Sequence, residues 1–359
     1  MNVFDRIGVD DYEQVVFCQD RPSGLRAIVA VHSTRLGPAL GGTRFYPYAS
    51  EDEGLEDVLR LARGMTYKAA VAGLDLGGGK AVIFGDPATD KTEALMRAYA
   101  RYVDALGGRY ITAEDVGTTQ ADMDMVRRET RHVTGVSKEL GGSGDPSAAT
   151  AYGVLWAMKA AARRLWGQTS LEGRHVAVAG VGKVGGHLVR HLMEEEARVT
   201  VADVTPAAVE RAVDEYDVSV APADKVHAVE CDIFAPCALG GALNGRTIPE
   251  LRCAAVVGSA NNQLADASSA EMLADAGVLY APDFVVNAGG LINIAEELVP
   301  GGYHHDRAYD AVRRIFDTTS SVLNVADAEG MSTAEAADRV AERRIAQLGH
   351  VRQIRTAGG

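Results

Sequence analysis

Cysteine is the first thing in short supply. Cys18, Cys231, Cys237 and Cys253 are scattered through 359 residues, with no CxxC pair and no zinc-like spacing. That excludes a disulfide framework and argues against cysteine or metal chemistry; free, mostly buried thiols in a reducing cytoplasm are the expectation. Long apolar runs are also missing. None approaches the ~18 residues of a membrane span, and Met1-Asn-Val-Phe-Asp-Arg-Ile carries no signal-peptide pattern. Positive charge is in deficit, with 36 Lys and Arg against 49 Asp and Glu and a net charge of −13. Nucleic-acid binding needs clustered Lys and Arg, so neither nucleic acid nor membrane is expected as a partner. No HExxH is present, and His304-His305 lies in a Gly-rich loop, where a solvated pair is expected rather than a ligand pair. Fixed-period repeats and low-complexity segments are absent too.

What is present suits two ordinary domains, at about 100–200 residues each, and 47% hydrophobic residues are enough for large cores. The most informative stretch is Val176-Ala-Val-Ala-Gly180-Val-Gly182-Lys-Val-Gly185. A β-branched run feeds into Gly180-x-Gly182-x-x-Gly185, and an apolar helical period (Val184, Leu188, Leu192) follows. A second strand-like run from Ala197 then ends on Asp203. That order is the one a βαβ dinucleotide site requires. The first glycine allows a tight turn, the second lets backbone approach a pyrophosphate, and the third lets helix approach strand. The loop Gly180, Val181, Gly182, Lys183, Val184, Gly185 would present free N–H groups at the positive end of the helix. Asp203 would accept from the adenosine ribose hydroxyls and repel a 2′-phosphate, so NAD is expected over NADP.

Along the chain, Leu25 to Val31 reads as a strand and residues 36–45 as a breaker-rich segment able to expose backbone N–H groups. Glu51 to Val71 is helical by period, with Leu55, Val58, Leu59, Ala62 and Met65 on one face and Lys68 near its end. Gly77-Gly-Gly-Lys80 then opens a strand, Ala81 to Phe84. Residues 92–106 read as a helix and Tyr110 to Ala113 as a strand, with Glu114-Asp115 in the loop that follows. Gly141-Gly-Ser-Gly-Asp-Pro146-Ser is the linker candidate, leading into a hinge helix at 148–165. Strands are expected at 226–229, 233–234, 254–257 and 278–280, with helices at Pro206–Glu215, 268–276 and 290–298 between them. Such alternation implies a parallel, doubly wound sheet. Helical stretches at 309–328 and 333–348 close the chain, and the final Thr-Ala-Gly-Gly is expected to fray. The expected division is 1–140, a substrate and oligomerisation domain of α/β type; 141–330, a Rossmann-like domain; and 331–359, a C-terminal helix returning towards the first.

Pattern alone leaves the chemistry of the first domain open. Lys80 after its glycines is either a solvated lysine on a tight turn or a group to which substrate comes close. The motif is not a P-loop, because Leu74 and Ala81 stand where that motif needs glycine and Ser or Thr. Lys68 either snorkels to water or meets an anion. Asp115 on pattern reads as a cap for a helix starting near Thr119.

Taken together, several motifs resemble the amino-acid dehydrogenases of the glutamate, leucine, phenylalanine and valine group. They are Leu61-Ala-Arg-Gly-Met-Thr-Tyr-Lys68-Ala-Ala, Leu76-Gly-Gly-Gly-Lys80-Ala and Thr112-Ala-Glu-Asp115-Val-Gly-Thr, with Gly180 to Gly185, Ser259-Ala-Asn-Asn and Pro282-Asp-Phe-Val-Val-Asn287-Ala-Gly-Gly. The likeness runs from about residue 10 to residue 350 in unbroken order and replaces the bland readings of Lys68, Lys80 and Asp115. It implies an NAD-dependent oxidoreductase with its active site in a cleft between an N-terminal α/β domain and a Rossmann-like domain, closing about the linker. It further implies a homo-oligomer. Lys68 resembles the lysine that pairs with the substrate α-carboxylate, helped by backbone N–H near Gly41 and Gly42. Lys80 matches the catalytic lysine and Asp115 the aspartate near the substrate amine. Asn287 resembles the asparagine holding substrate over the nicotinamide, and Ser147, Thr150 and Asn261 match positions beside the nicotinamide.

The resemblance also implies the chemistry. Hydride leaves Cα for nicotinamide C4, and water attacks the resulting iminium. Lysine's pKa falls readily when it is buried beside another cation, so Lys80 near Lys68 would take the proton of that water. The glutamate enzymes of the group carry a lysine where this chain has Leu40. With Met65, Ala113, Leu291 and Ile294 as further wall, an apolar side chain is expected: valine, leucine or isoleucine. Phenylalanine on the same mechanism is the alternative, and a non-catalytic NAD-binding protein on this fold the remote one.

Overall fold

The computed structural model describes residues 3–238 and 240–352; the expected fraying of the last four residues lies outside them. The described residues fall into two compact units, one drawn from Met1–Asp145, Ile294–His305 and Ala341–Gly359 and the other from Pro146–Asn293 and Asp306–Val340.

The first unit runs α1 (Val3–Val9), β1 (Gln14–Asp20), β2 (Leu25–Ser33), β3 (Ala39–Tyr46), α2 (Glu51–Val71), β4 (Gly77–Phe84), α3 (Glu93–Ala105), β5 (Tyr110–Glu114) and α4 (Gln120–Arg127). Its helices start where oxygen-bearing side chains satisfy free N–H groups. Ser50 accepts from Glu53 N–H, Thr92 from Leu95 N–H, and Thr119 forms a capping box with Asp122. The five-stranded sheet has the order β1-β2-β4-β3-β5; β1 and β2 are antiparallel to their neighbours, whereas β3 runs parallel to both β4 and β5. Leu55, Val58, Leu59 and Ala62 of α2 bury Ile28, Ala30 and Val82 on one face. On the other, Leu95, Met96, Tyr99 and Val103 of α3 cover Phe45, Ala81, Ile83 and Tyr110.

Two expectations fail here for one reason. The breaker-rich segment is the strand β3, and Gly77-Gly-Gly does not precede β4 but forms its first half. Glycine disfavours strand locally, but these lie between two paired neighbours and the ladder overrides propensity. β1, also unanticipated, is one of the two edge strands of this sheet.

The second unit begins with α5 (Ser147–Trp166). It continues through β6 (His175–Ala179), α6 (Lys183–Glu194), β7 (Arg198–Ala202), α7 (Pro206–Glu215), β8 (Ser219–Val220), β9 (Ile233–Pro236), β10 (Ala255–Val256), α8 (Ser268–Asp275), β11 (Leu279–Tyr280), α9 (Asp283–Val286) and α10 (Gly289–Ala295). Three helices follow: α11 (His305–Arg313), α12 (Ile315–Glu329) and α13 (Thr333–Arg352). The six-stranded sheet is parallel throughout, in the order β11-β10-β9-β6-β7-β8. From β6 the chain winds outwards through β7 and β8, then returns to the other side of β6 with β9. The topological switch point therefore lies beside β6, where such sheets bind ligands. Residues 226–229, expected as a strand, form a 3₁₀ turn instead. The stretch 309–328 is two helices broken at Arg314, and 290–298 is α10 followed by a 3₁₀ turn. No helix among the described residues is long and apolar enough to cross a membrane.

Candidate functional site

Strand alternation sets out the site in the first unit. Leu40 pairs with Gly78 and Ile111, Gly42 with Ala113, and Arg44 with Val82. Side chains two apart share a face. So Gly78, Lys80 and Val82 of β4, Leu40, Gly42 and Arg44 of β3, and Ile111, Ala113 and Asp115 along β5 all lie on the face that α2 covers. Lys80 and Asp115 stand on either side of Gly42, and their ion pair spans it: Lys80 Nζ is 3.0 Å from Asp115 Oδ2. Lys80 is only 5% exposed. Because Gly42 has no side chain the bridge can form; a Cβ there would overlap the Glu114 carbonyl oxygen and come within 2.8 Å of Asp115 Cβ. Asp115 caps no helix, since Thr119 takes that place. Its backbone N–H instead donates to Thr118 Oγ1 (2.9 Å), which donates in turn to the Thr43 carbonyl.

A second cation meets the same carboxylate. Arg44 Nε donates to Asp115 Oδ2 at 3.0 Å, and its Nη1 donates to Asp57 Oδ2 at 2.8 Å. Asp57 also accepts from Tyr48 OH and from Arg60. Burial pushes the Asp115 carboxyl upwards, but the charges of Lys80 and then Arg44 outweigh it and hold the group below the usual carboxylate range. Asp57 is lowered in the same way, burial being overcome by the Tyr48 hydroxyl and Arg44.

Glycines make room on both central strands. A side chain on Gly41 would overlap the Gly79 carbonyl oxygen and touch Met65 Cγ at 3.4 Å, and one on Gly78 would run into the backbone of Thr66. The β3–β4 ladder is formed on either side of Gly41-Gly42 but not at them, so that backbone is less committed to the sheet than its neighbours. Helix α2 therefore lies close over the glycines, and Lys68 follows Met65 by three residues, on the same face of the helix. Lys68 and Met65 are half-buried, while Leu40 and Ala113 are buried. All of these belong to one unit.

The second unit carries the dinucleotide loop between β6 and α6. Gly180 has φ +101°, a backbone open only to glycine, and a Cβ would press on Ala238. Gly182, the N-cap of α6, has nothing within 4 Å of where a Cβ would stand. A Cβ on Gly185 would overlap the Gly180 carbonyl oxygen. These are the turn, the open approach and the close helix–strand contact that a pyrophosphate cradle needs, so the loop fits the group. Asp203 follows β7, its Oδ2 accepting from Val181 N–H and its Oδ1 from Thr205 N–H, both at 2.8 Å. Burial raises its carboxyl, yet the N–H groups of Thr205 and Val181 prevail and lower it. Each oxygen keeps a lone pair for a ribose hydroxyl. Lys183 is exposed and Val184 half-buried.

Asn287 Nδ2 donates to Asn261 Oδ1 at 2.7 Å and to the Ser259 carbonyl at 3.1 Å, joining two of the expected residues. Ser147 opens α5, and Thr150 one turn later donates to the Pro146 carbonyl. Its hydroxyl lies where a side chain on Gly290 would go. Leu291 is buried in the second unit, while Ile294, half-buried, belongs to the first. The four thiols are free, and burial pushes Cys18 and Cys253 up to about 11 and Cys231 to about 12, which leaves them inert. Sequence reasoning missed Arg44 and Asp57. Their signal was the alternation Leu40-x-Gly42-x-Arg44, invisible while β3 was read as a loop.

Gly182→Ala should keep the wild-type melting temperature yet weaken NADH binding, followed by fluorescence, by about tenfold or more, since only ligand approach is blocked. Gly185→Ala should lower both. Equal effects of the two substitutions on melting would contradict the roles assigned.

Two family profiles match the chain: "Glu/Leu/Phe/Val dehydrogenase, dimerisation domain" over residues 12–132, and "Glutamate/Leucine/Phenylalanine/Valine dehydrogenase" over 141–210 and 204–352. A leucine dehydrogenase of Geobacillus stearothermophilus is 55% identical over 345 residues, 96% of this chain and 94% of that protein. A valine dehydrogenase of Streptomyces coelicolor is 56% identical over 339 residues, 94% and 93% respectively. Among solved structures, L-tryptophan dehydrogenase from Nostoc punctiforme superposes with a TM-score of 0.86 at 42% identity, covering 97% of this chain and all (100%) of that one. The motif order, the two sheets and these likenesses agree: the chain belongs to the glutamate, leucine, phenylalanine and valine dehydrogenase family.

Proposed function

We propose that the chain catalyses the reversible, NAD-dependent oxidative deamination of a branched-chain L-amino acid (valine, leucine or isoleucine) to its 2-oxo acid and ammonia. The observation that carries this reading is the pair formed by buried Lys80 and half-buried Asp115, 3.0 Å apart on the sheet face that also bears Leu40 and Ala113. Lys68, with backbone at Gly41 and Gly42, receives the substrate carboxylate. Asp115 faces the amine, taking a proton from the substrate ammonium and returning one to the leaving ammonia. Lys80 takes a proton from the water that attacks Cα and then faces the oxygen as charge develops there. A bound nicotinamide supplies the redox step, accepting hydride from Cα. Gly180, Val181, Gly182, Lys183, Val184 and Gly185 hold its pyrophosphate, and Asp203 its adenosine ribose. Ser147, Thr150, Asn261 and Asn287 line the nicotinamide, with Asn287 fixed by its bond to Asn261.

The apolar pocket is supported by Leu40, fully buried where a charged partner for a side-chain carboxylate would have to stand. Met65 and Ile294 belong to the same unit and are assigned to that wall, and their bulk favours an aliphatic side chain over an aromatic ring. Relatives named leucine dehydrogenase and valine dehydrogenase point the same way. NAD rather than NADP follows from the charge of Asp203, which its backbone partners keep ionised. Self-association through the first unit is supported by the profile named for dimerisation, and the four free thiols suit a cytoplasmic setting.

Lys80→Ala should lower kcat for deamination by about 10²–10⁴-fold while NADH binding persists; activity within a few-fold of wild type would refute the reading. A panel of valine, leucine, isoleucine and phenylalanine should give the highest kcat/KM to a branched-chain substrate, and a large phenylalanine preference would overturn the pocket assignment. Asp203→Ala should narrow the preference for NAD over NADP, and an unchanged ratio would show that another group sets it.

A further inference from the structure

We propose that Arg44 is a positioning residue for this chemistry, holding the Asp115 carboxylate by one oxygen and itself held from behind by Asp57. The inference rests on the reading just given, in which Asp115 faces the substrate amine. Lys80 Nζ and Arg44 Nε approach the same atom, Asp115 Oδ2, each at 3.0 Å. Two donors converging on one oxygen fix the plane of the carboxylate and leave Oδ1 as the oxygen assigned to the amine. Arg44 cannot swing away, because its Nη1 is engaged by Asp57 Oδ2 at 2.8 Å. Asp57 in turn is held by Tyr48 OH at 2.6 Å on Oδ2 and by Arg60 at 2.8 Å on Oδ1. A planar guanidinium can span two carboxylates in this way; a lysine ammonium is a point charge on a flexible stem and cannot fix both.

The charged groups bonded to Asp115 are Lys80 from β4 and Arg44 from β3, with Asp57 of α2 behind Arg44. Glu114 pairs with Thr43 and lies on the opposite face. Tyr110, from β5, also feels the Asp115 charge. Arg44 is thus one of the two cations bonded to this carboxylate. Removing a cation raises the pKa of every titrating group it faces, so the acid limb of the rate profile must move upwards.

The test measures kcat, the KM for NAD and the pH dependence of kcat/KM for leucine in Arg44→Met, Arg44→Lys, Asp57→Asn and Lys80→Ala. Arg44→Met should lower kcat roughly ten- to a hundredfold and move the acid limb up by about one pH unit, with the KM for NAD unchanged. Arg44→Lys should bring the limb back towards wild type without restoring kcat, because it returns charge but not the fork. Asp57→Asn, which leaves Asp115 and its partners chemically intact, should lower kcat several-fold by freeing Arg44, with the KM for NAD unchanged and no upward shift of the limb, because a lost anion lowers rather than raises neighbouring pKa values; it carries the test through kcat if Arg44→Met does not fold. A wild-type limb in Arg44→Met or wild-type kcat in Asp57→Asn overturns the proposal, as does activity lost only in proportion to folded protein. Full activity in Lys80→Ala would instead sink the underlying reading, and the two failures are told apart by which variant is silent.

Discussion

An ammonium and a carboxylate withdrawn from water, 3.0 Å apart across a residue with no side chain, is the constraint on which the first unit depends. Desolvating each ion costs several kcal/mol, and apolar replacements of equal volume often fold as well or better. Stability alone therefore does not explain Lys80 and Asp115; a substrate carrying both charges does. Arg44 joins the two carboxylates of the set, bonded to Asp115 beside Lys80 and to Asp57 beside Arg60.

The two units solve binding in different ways. In the first, side-chain charges are placed by strand register, and glycines clear the space between them. In the second, the backbone does the binding: Gly180 turns at a φ of +101°, Gly182 leaves the approach open and Gly185 brings α6 down onto the strand end. Asp203 joins the end of β7 to this loop through Val181 N–H. The group proposed to read the ribose thereby also holds the turn of the glycine loop. Asn287 and Asn261 make a comparable link between separate segments. In each case the proposed ligand-binding residue is fixed by a partner distant in sequence.

How much of this could be read from the sequence depended on the period of the hydrophobic pattern. Helix α2 was legible because its apolar stripe is regular, and the structure adds the Ser50 cap at its start. The loop after β6 was legible because each glycine has its own steric reason. Strand β3 was not, since Gly-Gly is punctuation in isolation and becomes strand only between β4 and β5, and Gly37-Pro38 just ahead of it reads as a break. With β3 unread, the alternation leading from Leu40 through Gly42 to Arg44 was hidden, and Arg44 and Asp57 with it. The 3₁₀ turn at Val226–Ala228 failed for the opposite reason, a β-branched run too short for its propensity to decide the outcome. Lys68, Lys80 and Asp115 were placed by resemblance to a family, because pattern alone left the two lysines open between a solvated and a site role and read Asp115 as a cap.

The glycines that defeated the sequence reading also set a physical problem that the fold answers on its far side. Each glycine in a strand weakens it by roughly 0.5–1 kcal/mol, and Gly41, Gly42, Gly78 and Gly79 lie side by side in the two central strands. Rigidity lost on the substrate face is recovered behind it. Thr43 Oγ1 lies 2.5 Å from Tyr99 OH and 2.6 Å from Thr112 Oγ1, and Tyr110 OH donates to the Gly41 carbonyl at 2.6 Å. These groups are fully buried, where hydrogen bonds are at their strongest and unmade ones most costly. The sheet is thus fastened at Gly41 and Thr43 from the α3 side, while on the α2 side Gly42 leaves the space that the Lys80–Asp115 pair spans. Conflict between local propensity and global fold is expected where function requires it. In this chain the conflict is confined to one stretch of two strands, and the hydroxyls that offset it lie directly beneath.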